Sequence, residues 1–325
     1  MRTVIKKTSQ ALRSLAFWQK MLILRVLTGI FILADVLTGA SHQISWLIIS
    51  NFRLPRLLIL VIAGVAISVS GGLVQDTTEN PLADSSLIGV TAGSSFGIVL
   101  FIAFGASLSN VLYVYPIFAV AGALLAYAIL YQLALKRNSG QVNLILTGLA
   151  ISAVFQALIT IVQLHLDQFG IQKLAVWLSG DVWLTDYPYI ALLAVLLAFA
   201  LIILPRFFRR IDLLQTGQEM ASSLGLDVIK TQKQLLILSL LFAAIGVAAV
   251  GSLGFLGLLA PHIARNMTTF SAKKRYIITI FVGVLIMLIS DMLARTLIAP
   301  STLPIGFVLS IVGAPYFIYL ITKKI

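Results

Sequence analysis

Long apolar stretches recur along the chain, separated by short segments rich in charged residues, Pro, Gly, Asn or Ser. A helix needs about 20 mostly apolar residues to cross a bilayer, and the bilayer interior requires its backbone polar groups to be satisfied within the helix. The pattern therefore predicts an all-α polytopic membrane protein with about ten transmembrane helices. The predicted apolar segments lie near residues 22–40, 56–75, 86–105, 112–135, 142–164, 188–205, 234–252, 255–268, 276–297 and 304–322.

Composition and charge fit a chain embedded in lipid and give it an orientation. Of the 325 residues, 60% are hydrophobic and only 10% are charged, which excludes an ordinary water-soluble domain. With the N-terminus inside, an even number of crossings places both termini in the cytoplasm, and nineteen of the 23 Lys and Arg residues then lie on that side. Anionic lipid headgroups account for the net charge of +12 without nucleic acid. We expect a multi-pass protein of the cell membrane, with a cytoplasmic tail over residues 1–21 and a transmembrane domain over residues 22–325.

Candidate catalytic and metal-binding chemistry is nearly absent from the sequence. The chain has no Cys, and its three His residues, at positions 42, 165 and 262, lack the spacing that places two ligands on one helix face. Neither a Gly-x-Ser-x-Gly elbow nor a Gly-x-x-x-x-Gly-Lys-Ser/Thr phosphate loop occurs. We therefore expect no catalytic residue, no metal site, no cofactor and no nucleotide bound by this chain. Asp291, the one acid deep in an apolar segment, is open to a structural or a functional role.

The longest interruption on the basic side runs over residues 206–233. Within it, residues 218–224 follow the pattern of a short amphipathic helix, with Met220 and Leu224 on one face and Gly225 as a C-terminal stop. Such a helix either anchors the chain at the membrane surface or offers a docking surface to a soluble protein. Periodicity alone favours neither.

Two further interruptions combine polar and small residues. Residues 75–95 contain a polar turn with Pro81, followed by a helix start rich in Gly and Ser, which favours close helix packing. Residues 251–265 contain three glycines and Pro261, which break an apolar run in two. Broken helices of this kind are typically buried or line a cavity.

Four motifs, in this order along the chain, resemble the FecCD family. They are Asn80-Pro-Leu-Ala-Asp84, the run Gly254-Phe-Leu-Gly-Leu-Leu-Ala-Pro-His-Ile-Ala-Arg265, Asp291-Met-Leu-Ala-Arg295, and Leu303-Pro-Ile-Gly-Phe307 with Gly313-Ala-Pro-Tyr-Phe317. The family comprises the permease subunits of binding-protein-dependent ABC importers for ferric siderophores, haem and vitamin B12. One such motif is a weak signal, but four in register make the resemblance specific, and it extends over nearly the whole chain past the N-terminal tail.

The resemblance implies a transmembrane permease subunit with ten helices and a set of partners. A second permease subunit, identical or paralogous, completes a central translocation path. Two ABC ATPase subunits bind on the cytoplasmic side, and an extracytoplasmic substrate-binding protein delivers an iron chelate. A ferric siderophore is the favoured cargo, with haem or cobalamin as alternatives. A membrane-embedded enzyme and an ion-coupled secondary carrier are less favoured alternatives. A secondary carrier would need ionisable residues near the midplane for ion coupling, and these are nearly absent.

The resemblance also assigns a role to the loop after the sixth segment, which is similar to the family's coupling region. That region inserts into a cleft of the ATPase, so the resemblance favours docking over membrane anchoring. The matching residues are Gly217, Glu219, Ala221, Leu224 and Gly225, with Met220 beside them.

On the outer face, Arg53, Arg56 and Arg295 match family positions that meet acidic residues of the binding protein. The alternative for each is an Arg at a helix end that snorkels to the headgroups. The loop before the fifth segment occupies the place of the family's cytoplasmic gate, which makes Asn138 and Ser139 hypothetical gate residues.

Overall fold

The computed structural model describes residues 16–37, 45–104, 111–136, 140–180, 182, 186–268, 271–298 and 301–323. Over these ranges every regular element is helical, as the apolar pattern predicts. The α-helices are α1 (Phe17–Leu37), α2 (Trp46–Thr77, with a π-helical turn at Ile49–Arg53), α3 (Val90–Phe104), α4 (Val111–Leu130, continued by a π-helical turn at Tyr131–Leu135), α5 (Gly140–Gln163), α6 (Gln168–Leu178), α7 (Tyr187–Ile203), α8 (Phe208–Leu214), α9 (Gln218–Ser223), α10 (Val228–Val250), α11 (Leu256–Met267), α12 (Ala272–Thr296) and α13 (Ile305–Lys323).

Six of the described helical stretches are long and apolar enough to cross a membrane. They are Trp46–Thr77, Tyr113–Leu135, Val142–Gln163, Tyr187–Leu214, Val228–Val250 and Ala272–Thr296. Shorter apolar helices occur at Val90–Phe104 and Ile305–Ile318. The prediction of an all-α polytopic membrane protein is confirmed at this level.

α2 runs through the middle of the bundle, where α10, α11 and α12 pack against it and nearly all of its residues over Leu54–Thr77 are buried. Gly71 makes its contact with α11 possible, because a Cβ at this position would lie 1.8 Å from the carbonyl oxygen of Gly257. The two helices therefore pack backbone against backbone, as small residues allow in membranes.

α3 and α4 approach each other in the same way. A Cβ on Gly97 would lie 2.1 Å from the carbonyl oxygen of Phe118, and one on Gly122 would lie 2.0 Å from that of Gly93. The glycines at the start of α3 thus serve the close helix packing that the sequence predicts.

Two of the sequence motifs meet where the loop after α2 contacts the start of α11. The Asp84 carboxylate accepts hydrogen bonds from the backbone N–H of Ser85 (2.7 Å) and the hydroxyl of Ser86 (3.0 Å). A Cβ on Gly257 would lie 2.2 Å from Asp84 Oδ1, so only a glycine leaves room for this carboxylate. Burial raises the pKa of the Asp84 carboxyl, and the hydrogen bonds from the two serines oppose that rise.

The apolar run at residues 251–265 breaks between α10 and α11, as predicted. Gly251 takes a φ of +75°, and Phe255 takes +68°, a left-handed conformation that is rare for a bulky side chain. α11 then begins at Leu256, and its residues from Leu256 to Pro261 are buried. The broken helix therefore lies inside the protein.

α1 begins at Phe17, five residues before the predicted apolar segment. Lys20 is buried in its first turns, and its Nζ donates a hydrogen bond of 2.7 Å to the carbonyl oxygen of Met267. Because the last carbonyls of a helix lack intrahelical donors, this lysine caps α11. The predicted tail, residues 1–21, thus includes the start of α1, and its first fifteen residues lie outside the described ranges.

Candidate functional site

The predicted coupling loop, residues 206–233, folds into the two short helices α8 and α9 before α10 begins. α8 is fixed to the membrane domain, because Ile211 and Leu214 are fully buried. Gly217 takes a φ of +95°, which suits glycine, and turns the chain into α9. Gly225, with a φ of +83°, ends α9 as the sequence predicts.

α9 turns one face into the protein and leaves its larger apolar side chains exposed. Ala221 is buried, whereas Met220 is 56% exposed and Leu224 is 57% exposed. The exposed Glu219 lies beside them, and a groove of about 490 Å³, lined by residues between Thr216 and Ser223, lies next to Glu219 and Met220. We call Glu219, Met220 and Leu224 the α9 surface. Exposed apolar residues next to a groove and an acid suit contact with another protein.

A buried ion network joins α1, α2 and α12 where their ends meet. Arg56 donates to Asp291 Oδ1 through Nε (2.9 Å) and Nη2 (2.7 Å), which gives a forked contact. Arg295 Nε lies 2.8 Å from Asp291 Oδ2, and Arg295 also pairs with Asp35 of α1. Arg53 Nη1 donates to backbone carbonyl oxygens at the end of the described part of α1. We call these five residues the Asp291 network.

The three arginines predicted for docking thus lie together, and each contacts groups of its own chain. Arg53 and Arg295 are buried, while the side chain of Arg56 remains 20% exposed. Asp291 is fully buried and meets two guanidinium groups, which supports the structural role that its sequence position left open. Of the three, Arg56 is the most accessible to a partner.

A second ion network lies at the opposite ends of α2 and α12, and sequence reasoning missed it. Asp76 Oδ1 accepts from Arg265 Nη2 at 2.5 Å, and Asp76 Oδ2 accepts from Arg275 Nη2 at 2.8 Å. The hydroxyl of Tyr276 also donates to Asp76 Oδ2, at 2.8 Å. The Asp76 side chain is only 1% exposed. We call these four residues the Asp76 network. One buried carboxylate thus holds together α2, α11 and α12.

A usable signal for the Asp76 network was present in the sequence. Asp76 ends one apolar segment, and Arg265 and Arg275 flank another break on the same predicted side of the membrane. Because a buried charge needs a partner, an acid and two bases at one membrane face are candidates for pairing. Charge counting alone assigned both arginines to lipid headgroups.

The hypothetical gate residues Asn138 and Ser139 lie outside the described residues, which end at Lys136 and resume at Gly140. An apolar cavity of about 300 Å³ lies between α4 and α5 and is lined mainly by aliphatic side chains and Phe155. Over the described residues, no group of three or more His, Cys, Asp or Glu side chains could hold a metal ion.

Comparison with known proteins identifies the family of this chain. The FecCD transport family profile matches residues 12–323. The chain belongs to the FecCD transport family. Among FecCD relatives, the iron(3+)-hydroxamate import system permease protein FhuG of Bacillus subtilis is 37% identical over 294 residues, which cover 89% of this chain and 88% of the relative. The Fe(3+) dicitrate transport system permease protein FecD of Escherichia coli is 32% identical over 292 residues, which cover 90% of this chain and 89% of the relative.

The FecCD chain also superposes on a solved structure described as an inward-facing conformation of an ABC transporter assigned to the metal-chelate type. The TM-score is 0.84 at 27% sequence identity, over 95% of this chain and 100% of the other. Relatives of this kind are permeases of the membrane, so the FecCD assignment accounts for the apolar helices.

Proposed function

We propose that this chain is the transmembrane permease subunit of an ABC importer for a ferric siderophore. In this proposal, two ATPase subunits hydrolyse ATP on the cytoplasmic side, and an extracytoplasmic substrate-binding protein delivers the chelate. A second permease subunit completes the path. The single observation that carries the proposal is the match to the FecCD family over residues 12–323, with iron-chelate permeases among its relatives.

The proposed topology has ten crossings with both termini in the cytoplasm. Each predicted apolar segment overlaps one helix, and the distribution of Lys and Arg favours this orientation. It places α8, α9 and the Asp76 network on the cytoplasmic side and the Asp291 network on the outer side. Residues 22–325 then form the permease domain, and residues 1–21 contribute the N-terminal tail.

The α9 surface is proposed as the contact with the ATPase subunits. Met220 and Leu224 are exposed between the apolar stretches that end at Leu214 and resume at Val228, where they are free to enter a groove of a soluble partner. Gly217 and Gly225 set the position of α9, and buried Ala221 holds it on the permease. The chain has no phosphate loop of its own, so hydrolysis must come from another chain.

Passage of the cargo requires no chemistry from the permease. The iron travels inside its chelate, as substrate, and the chelate supplies the metal ligands. The path is proposed to be mainly apolar, so that it binds a polar chelate weakly and allows release. Asn138 with Ser139 is proposed to form the cytoplasmic gate.

Uptake of a labelled ferric siderophore tests this function. In proteoliposomes that contain the permease, its ATPase and the binding protein, uptake should require ATP and should fall to background when the phosphate-loop lysine of the ATPase is replaced by Ala. Unlabelled haem and cobalamin, added as competitors, distinguish the alternative cargoes. Uptake that continued without hydrolysis would contradict the importer and favour a secondary carrier.

The outer arginines are proposed to attract acidic residues of the binding protein, with Arg56 as the best-placed member. Replacing Arg56 by Gln should weaken docking by about 1 kcal/mol, or roughly fivefold in Kd, and should reduce its salt dependence. Binding at low and at high salt measures both effects.

Arg56→Lys is the matched control for this prediction. It keeps the positive charge but loses the forked contact with Asp291, so docking should stay close to native while thermal stability falls. If Arg56→Gln lowers stability and leaves the Kd and its salt dependence unchanged, the arginine is structural only.

A further inference from the structure

We infer that Asp212 is the positioning residue that links the ATPase-facing loop to the membrane-spanning helix α12. The inference deepens the proposed function and depends on it. α8 contacts the start of α12 at two points, one polar and one aromatic. α12 then crosses the bilayer to the Asp291 network.

The polar point is a hydrogen bond between two segments sixty residues apart in sequence. The backbone N–H of Ala272, the first residue of α12, donates to Asp212 Oδ1 at 2.6 Å. Ser271 occupies the N-cap position of α12, but its side chain makes no capping hydrogen bond. The carboxylate of Asp212 therefore supplies the cap from a different helix, where the positive end of the α12 dipole also favours a negative charge.

The aromatic point is one helical turn away on both helices. The rings of Phe208 and Tyr276 lie 5.8 Å apart between centroids, with planes at 35°. Phe208 and Asp212 are four residues apart on α8, and Ala272 and Tyr276 are four residues apart on α12. Because residues i and i+4 share one face of a helix, the two contacts fix both the position and the rotation of α8.

From this joint the contacts continue into the bundle. Tyr276 donates its hydroxyl hydrogen to buried Asp76 of α2, and Arg275 pairs with the same carboxylate. α12 has 25 residues, so it extends roughly 37 Å and carries Asp291 and Arg295 at its far end. A displacement of α8 therefore acts directly on a helix that reaches both faces of the membrane.

α8 leads directly into the α9 surface, which is proposed to bind the ATPase. α8 contacts α9, and only Gln215, Thr216 and Gly217 separate them in sequence. Asp212 itself is partly buried on the protein side, so it transmits the position of the loop without forming the docking surface. This geometry separates docking, which belongs to Met220 and Leu224, from coupling, which belongs to Asp212.

Two single variants remove the link from opposite sides. Asp212→Ala removes the acceptor, and Ala272→Pro removes the N–H donor at the first helical position, where the backbone suits proline and the ring must fit at a buried site. The conformation of Ser271, φ −50° and ψ 156°, is compatible with a following proline. Both variants should bind the ATPase and hydrolyse ATP, but uptake per ATP hydrolysed should fall roughly 2- to 30-fold. The double variant should lower uptake per ATP no more than either single variant does, because both substitutions remove the same hydrogen bond.

Asp212→Asn keeps an acceptor oxygen and should retain most of the native ratio of uptake to ATP hydrolysis. Asp167→Ala is the control for helix capping itself, because Asp167 caps α6 through the N–H of Gly170, on a helix outside the loop over residues 206–233. It should leave the ratio of uptake to hydrolysis unchanged.

The outcomes separate this inference from the proposed function. If the native chain shows no ATP-dependent uptake, the proposed function fails. If the native chain couples uptake to hydrolysis and both Asp212→Ala and Ala272→Pro retain the native ratio, the inference is overturned. It is also overturned if these variants lose the ATPase from the complex, since Asp212 would then serve docking. Size-exclusion chromatography with thermal melting verifies that each variant folds. If Asp212→Ala does not fold, the ratio of uptake to hydrolysis in Ala272→Pro tests the inference.

Discussion

Replacing Asp76 by Leu is expected to lower the free energy of unfolding by about 3–5 kcal/mol, because removal of one partner leaves the remaining buried charges uncompensated. The carboxylate is 1% exposed and accepts hydrogen bonds from Arg265, Arg275 and Tyr276. Of these, Arg275 is itself buried, so its charge cannot turn to water without a rearrangement of α12. Unfolding by SDS in mixed micelles measures the loss.

Two further variants test the cause of that loss. Asp227→Ala removes an exposed carboxylate that caps α10 through the N–H of Lys230, and it should lower stability by only about 1 kcal/mol. Combining Asp76→Leu with Arg265→Leu and Arg275→Met should recover much of the stability, since apolar replacement of a whole buried ion group is often neutral or favourable. A loss near 1 kcal/mol for Asp76→Leu would mean that water reaches this network.

Introducing Arg at both Met220 and Leu224 is expected to abolish co-purification of the ATPase subunits. The two side chains are more than half exposed on α9, so the change should leave the permease folded. Replacing an apolar side chain at the centre of an interface by Arg removes the native buried contact and adds the cost of desolvating a charge. Loss of a hot-spot side chain alone weakens binding by about 2 kcal/mol or more, roughly 30-fold in Kd. Pull-down of the tagged permease in detergent measures the bound ATPase.

Ser222→Arg is the matched control, because Ser222 is exposed on the same short helix but does not line the groove beside Met220. It should retain more of the ATPase than the double variant. Equal retention by the double variant and the native chain, with native uptake, would show that α9 is a membrane-surface anchor. The sequence periodicity allowed that alternative.

The helices were largely predictable because each long apolar segment imposes a helix on its own. α6 was missed, since its 11 residues are too few to span a bilayer and its signal is the Asp167 cap. α10 begins at Val228, six residues before the predicted start at 234, because polar residues at the membrane surface continue the helix that Asp227 caps. Hydropathy identifies the apolar part of a helix and not its ends.

The candidate sites were predictable only in part. The α9 helix, its glycine stop and its exposed apolar face follow from local periodicity, and the structure has all three. The partners within the ion networks did not follow, because Arg56 and Asp291 are 235 residues apart and Asp35 and Arg295 are 260 apart. No local pattern pairs such residues. Topology alone brings them together.

The two ion networks have a mechanical consequence for transport. α2 and α12 are tied at both ends, by Asp76 and by Asp291, so neither helix can slide along the other or tilt away from it alone. Packed helices that cannot shear move as one rigid body. Opening and closing of the path would then move α2 and α12 together relative to α4, α5 and α7, whose apolar stretches are only about one-third buried in this chain. In the permease, α2 and α12 would then form one rigid unit, and the more exposed helices would change position relative to it.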